Sequence, residues 1–118
     1  MVQQKLTNYL RTFRKRSHLS QDEVAFLLGG GSGCKVSRYE RFTRVPNLQT
    51  AMAFEVVYGI PIKELFAGIF QKVEGQTLRR ARLLASRLTK NDPSRLRVIR
   101  LKILERFIPN QETMGLHE

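Results

Sequence analysis

Apolar residues recur at helical intervals along most of the chain, and turn-forming residues mark the breaks between runs. Leu6, Tyr9, Leu10 and Phe13 share one face, with Arg11, Arg14, Lys15 and Arg16 between them; this predicts a helix over about 5–16. Ser20-Gln-Asp-Glu23 is a capping box ahead of Val24, Ala25 and Leu28, and predicts a short second helix over about 21–28. Gly29-Gly-Gly-Ser-Gly33 interrupts the run, and Ser32 is placed to cap a third helix over about 33–42. After the turn Val45-Pro-Asn47, Asn47 is an N-cap for a fourth helix over 48–58 that bears Leu48, Ala51, Met52 and Phe54. Gly59 ends it, and Pro61 opens a fifth helix with Ile62, Leu65 and Phe66 facing inward.

The third run has the most distinctive division of faces. At 3.6 residues per turn, Cys34, Ser37, Arg38 and Arg41 fall on one stripe, while Val36, Tyr39 and Glu40 point the other way. Small, polar and cationic groups outward, with an aliphatic and an aromatic residue gripping a core, suit insertion into a DNA groove. An ordinary amphipathic surface helix has the same pattern, so the stretch does not decide by itself.

Beyond residue 67 the periodicity continues. Ile62, Leu65, Phe66, Ile69, Phe70 and Val73, then Ala81, Leu84, Ala85 and Leu88, allow one long helix over about 62–89, or two with a break near Gly75. Gly68 and Gly75 each cost such a helix about 1 kcal/mol relative to Ala. Asp92 and Pro93 are placed as N-cap and N1 of a last helix, in which Leu96, Ile99, Ile103 and Phe107 form a stripe that Leu101, Leu104 and Ile108 widen. So broad an apolar surface points to a dimer interface, with docking on the chain's own first domain as the alternative. The expected organisation is all-α: residues 1–67 as one domain and 68–118 as a C-terminal extension of one or two helices.

Charge narrows the partner. The 118 residues hold 21 Lys and Arg against 10 Asp and Glu, a net charge of +11. The excess is spread along the chain, with ten cations and five anions in 1–70 and eleven and five in 71–118. A polyanion is the usual partner of such a charge, with nucleic acid ahead of a membrane surface. The arginines of 79–102 read mostly as solvated faces. Cys34 is the only cysteine, and His18 and His117 have no ligand spacing, so neither a disulfide framework nor a metal site is expected. No apolar run reaches the ~18 residues of a membrane helix, and Met-Val-Gln-Gln-Lys5 lacks a signal-peptide core. A reduced, cytosolic protein is expected, without a cofactor.

Leu19-Ser-Gln-Asp-Glu-Val-Ala25, Val36-Ser-Arg-Tyr-Glu-Arg41, Pro46-Asn-Leu48 and Gly59-Ile-Pro-Ile-Lys-Glu-Leu-Phe66, in that order, resemble the lambda-repressor/Cro-type helix-turn-helix (XRE-like) regulators over about residues 6–67. The resemblance implies a five-helix domain that binds double-stranded DNA, usually as a homodimer on a two-fold site. It implies that Gln21 bonds a phosphate and braces the recognition helix, and that Arg14 and Glu40 form a salt bridge behind it. Gly33, Cys34 and Arg38 take the base-facing positions, with Lys35 and Ser37 beside them. Arg38 can read guanine O6 and N7, worth roughly 1–3 kcal/mol of discrimination, or clamp a phosphate. Lys35 stands at N3, where a cation opposes the helix dipole and a phosphate or base edge would answer that cost. Arg41, Thr43 and Arg44 follow, where the family touches the DNA backbone.

Four features depart from the family pattern. The turn at Gly29–Ser32 is one residue longer than usual, and Gly33 offers no side chain where a base reader often stands. Phe42 replaces a frequent glycine terminator, and Phe26 and Leu27 are apolar where the second helix is normally polar, which suggests a protein contact through them. Glu55 has no evident role in its apolar helix. Three classes of function follow. The first is a DNA-binding regulator; the second is an antitoxin-like or other interaction module that grips a partner protein with the C-terminal helices. An enzyme is the third, and no paired carboxylates, activated nucleophile or P-loop lysine support it.

Overall fold

A computed structural model of the chain describes residues 4–91 and 96–106. The described residues are all-helical, without a strand: α1 Leu10–Arg16, α2 Gln21–Leu27, α3 Gly33–Glu40, α4 Leu48–Tyr58, α5 Ile62–Leu65, α6 Ala67–Asn91 and α7 Leu96–Glu105. None of these helices is long and apolar enough to cross a membrane. The chain divides into two compact units, residues 1–71 and 72–118, and the division falls within α6.

In the first unit α1 to α5 and the start of α6 enclose one core. Phe54 is fully buried at its centre, with Tyr39 and Phe66 meeting it edge-on and Tyr58 stacked at 6.0 Å. Leu10, Val24, Val36 and Leu65 are equally inaccessible around it. In the second unit Ala81 and Leu88 are buried, whereas no residue of α7 is. Asp92, Pro93, Phe107 and Ile108, which define the ends of the last helix in the sequence pattern, lie outside the described residues.

The helix ends explain where the sequence expectations shift. α1 begins at Leu10 rather than near residue 5, because the preceding donors are committed elsewhere. Tyr9 N–H donates to the Leu65 carbonyl (2.8 Å), and Leu10 N–H donates to Asn8 Oδ1 (3.1 Å). The buried Asn8 amide also donates to the Tyr39 carbonyl (2.9 Å), fastening the head of α1 to α3. The segment ahead of it lies along α6. A methyl group on Gly68 would collide with the backbone of Leu6 and Thr7, so this glycine permits a close approach. The helix over 62–89 is interrupted, but at Phe66 between α5 and α6; Gly75 is passed without a break.

α2 carries its capping box in full: Glu23 N–H donates to Ser20 Oγ, and Ser20 N–H to Glu23 Oε1. These bonds hold the Glu23 carboxyl below its ordinary value. The cap is therefore intact at neutral pH and is lost as pH falls through that lowered value. Asn47 caps α4 through Thr50 N–H (2.9 Å), and Gly59 ends it in the left-handed region (φ 68°). Glu55, unexplained in sequence, accepts from Ile62 N–H (2.8 Å) and so caps the next helix from α4.

Candidate nucleic-acid interface

Among the described residues, α2 and α3 form the most extensive contact between helices. The Gly29–Gly31 turn joins them with all three glycines at positive φ, which only glycine adopts cheaply in succession. Gly29 and Gly30 N–H donate to the Phe26 and Ala25 carbonyls and close α2. Ser32 stands at the N-cap position of α3, but its side chain makes no capping bond. Asp22, reaching across from α2, accepts from Gly33 N–H at 2.7 Å instead. The cap of α3 is thus also a tie between the two helices.

Gly33 is the one expected base-facing position that the structure turns inward. It is buried against α2, and a Cβ there would lie 2.6 Å from Asp22 Oδ1 and 3.0 Å from Gln21 Cβ. It faces the protein, and its lack of a side chain serves the close packing of α3 on α2. Val36, Tyr39 and Glu40 share this inward face. Cys34 and Arg38 are exposed on the opposite side, and Lys35 and Ser37 are half-buried beside them. Arg41 and Arg44 are exposed just past the helix.

Behind α3, the Glu40 carboxylate is almost wholly buried and fully partnered. Arg14 donates to it twice, Nε to Oε2 at 2.6 Å and Nη2 to Oε1 at 3.2 Å, and Nη1 bonds the Leu19 carbonyl at 3.0 Å. The hydrogen bond to Glu40 raises the Arg14 pKa further, against the opposing effect of burial. Gln21 adds a third donor to Glu40, Nε2 to Oε1 at 3.1 Å. One amide hydrogen of Gln21 therefore braces α3, and the other remains for a second acceptor. A bidentate guanidinium–carboxylate pair fixes direction as well as charge, so this cluster sets the orientation of α3 on α1 and α2.

The exit of α3 comes earlier than its sequence pattern suggests. Arg41 is the C-cap and α3 ends at Glu40, two residues before the expected end. Phe42 N–H donates to the Tyr39 carbonyl and Thr43 N–H to the Arg38 carbonyl, which together make a Schellman motif. Thr43 Oγ also donates to the Arg38 carbonyl (3.0 Å). Both donors of Thr43 thus bond the Arg38 carbonyl and help end the helix. Phe42 adopts φ 66°, the left-handed conformation a glycine would take at less cost. The residue is 47% exposed. Relief of about 1–2 kcal/mol of backbone strain nearly offsets the lost half-burial and the greater freedom of an unfolded glycine. Phe42→Gly should therefore change stability by less than about 1 kcal/mol in chemical denaturation. A loss of several kcal/mol, typical of a buried aromatic, would show Phe42 to be part of the core.

Phe26 (79% exposed) and Leu27 stand on the outer side of α2 beside Asp22 and Glu23. In the second unit, Leu84, Leu88, Arg100, Ile103 and Leu104 line an open apolar groove, and Leu96, Val98 and Ile99 of α7 are exposed. Compared with family models, curated proteins and solved structures, the chain finds no match in any of the three.

Proposed function

We propose that the chain is a sequence-specific double-stranded DNA-binding transcriptional regulator. In this reading α1–α5 form a lambda-repressor/Cro-type helix-turn-helix domain, and α3 lies in the major groove. The observation that carries it is the division of α3. One edge is locked inward by the Arg14–Glu40–Gln21 cluster, and the other presents Cys34, Lys35, Ser37 and Arg38 without an acidic partner among the described residues. A basic, donor-rich edge on a rigidly held helix matches the acceptor pattern of guanine and phosphate. Arg38 reads a guanine, Lys35, Arg41 and Arg44 neutralise phosphates, and Gln21 offers its second amide hydrogen to the backbone. The net charge of +11 supplies the sequence-independent attraction.

The chain acts as a homodimer in this proposal, because the apolar side chains of α6 and α7 exposed in the second unit give a second copy a surface to cover. The same surface also favours the antitoxin-like alternative, in which it and the Phe26–Leu27 patch hold a different protein. An apolar C-terminal surface still open in the purified dimer, detected by dye binding, would favour that alternative.

Selection of bound sites from random duplexes tests the reading at residue level. Arg38→Ala should lose preference at one symmetric pair of positions, by roughly 1–3 kcal/mol per contact. Uniform weakening at every site would make Arg38 a phosphate clamp instead. Arg44→Ala should weaken all duplexes alike and lower the salt slope by about one unit.

A further inference from the structure

A second basic feature adjoins the exit of α3 and shares Arg41 with the proposed interface. Between α1 and the exit of α3, the first unit holds an open cleft of about 520 Å³. Arg11 and Lys15, one helical turn apart on α1, stand on one side, with Arg41 and the Phe42 ring on the other. Asn8 and Glu40 contribute the buried polar groups that line it.

Those two polar groups are already committed. Asn8 uses its carbonyl on Leu10 N–H and its amide on the Tyr39 carbonyl. Glu40 is neutralised by Arg14 and bonded by Gln21. Neither asks for a ligand, and Glu40 does not balance the cations around it. Among the described residues Arg11, Lys15 and Arg41 have no ion-pair partner. Three unpaired cations around one concavity focus a positive field there. The group that answers it accepts hydrogen bonds through several oxygens, and guanidinium geometry suits phosphate. Beside them stands the half-exposed ring of Phe42, held in a conformation that favours glycine. An exposed ring at such a position offers a face for another planar group to stack on. The volume suits a small organic anion rather than a bare ion.

We propose that this cleft binds a nucleotide unit, its phosphate held by Arg11, Lys15 and Arg41 and its base laid against Phe42. The unit comes either from a free nucleotide or from a strand of bound nucleic acid, and only the second source draws on the DNA-binding reading.

The test compares the wild-type chain with Arg11→Ser/Lys15→Ser, whose changes lie on the exposed side of α1, and with Arg11→Gln and Lys15→Gln singly. Adenosine monophosphate, inorganic phosphate and a duplex serve as probes, with an unchanged unfolding curve as the control for folding. If the double variant fails that control, the single variants carry the same comparison. For a free nucleotide, adenosine monophosphate binds the wild type about tenfold or more tightly than inorganic phosphate does. The double variant then loses that binding while its duplex affinity holds. For a nucleic-acid strand, the nucleotide binds weakly or not at all. The double variant then lowers the salt slope of duplex binding by about two units, and any sequence preference due to Arg38 persists. Equal binding of inorganic phosphate and adenosine monophosphate overturns the role given to Phe42. No nucleotide binding together with an unchanged salt slope overturns the site. If no duplex is preferred over another, the regulator reading fails, yet the nucleotide titration and the non-specific salt slope still report on the cleft.

Discussion

Arg14→Met should lower the stability of the chain by about 3–5 kcal/mol, because it leaves the Glu40 carboxylate buried without its cation. The Glu40 side chain is 2% exposed, and the one remaining donor, the Gln21 amide at 3.1 Å, is neutral. The Leu19 carbonyl loses a partner as well. The whole loss does not measure the worth of the ion pair, since most of it is the cost of stranding a charge. The double variant Arg14→Met/Glu40→Leu removes both charges and should recover most of it. Arg14→Lys should fall between, because an ammonium cannot reproduce three bonds from one planar fork. Chemical denaturation of the four proteins reads the series. A loss below about 1 kcal/mol for Arg14→Met would show that the pair is not what orients α3.

Gly33→Val should cost about 3–4 kcal/mol, combining overpacking at the α2–α3 contact with loss of the Asp22 cap. The first atom of any side chain at Gly33 meets Asp22 Oδ1 at 2.6 Å and Asp22 N at 3.1 Å. The carboxylate can rotate away, but in doing so it gives up its 2.7 Å bond to Gly33 N–H. The backbone nitrogen of Asp22 cannot move without shifting α2, and two β-branched methyls enlarge the conflict. Asp22→Ala, which removes only the cap, should cost about 1 kcal/mol. Equal losses in the two variants would mean that Gly33 is not held by close packing. On the DNA-binding reading, Gly33→Val should also weaken duplex binding in the fraction that remains folded, because α3 is displaced from its brace.

Much of the architecture was legible because its signals are local. The Ser20–Glu23 box, Asn47 and Gly59 each place a helix end within a residue or two, and they do so through bonds to their own neighbourhood. The faces of α3 followed from spacing alone, since Val36 and Tyr39 are the residues with most to bury. What escaped are contacts between distant positions. Asp22 capping α3, Glu55 capping α5 and Asn8 tying α1 to α3 depend on two elements meeting, and no periodicity records that. The break at Phe66 was hidden because the apolar positions of α5 and the start of α6 follow one continuous spacing, with no proline at the join. Gly68 read as a weakness of its helix and proves to be the point where the Leu6–Thr7 backbone rests. Phe42 carried its signal only as a missing glycine; the left-handed backbone and the cleft beside it required coordinates. Within the candidate interface, sequence separated inward from outward residues well. It could not tell that Gly33 and Thr43 are committed to the protein itself.

The most direct measurement is a competition titration at moderate ionic strength. The best duplex recovered from a random pool is set against a scrambled duplex of equal length and composition. A basic surface alone binds both equally, whereas a reading helix separates them by about 10³ or more. A gap of that size, reduced by Arg38→Ala, is the expected result; equal affinities would contradict a sequence-reading role for α3.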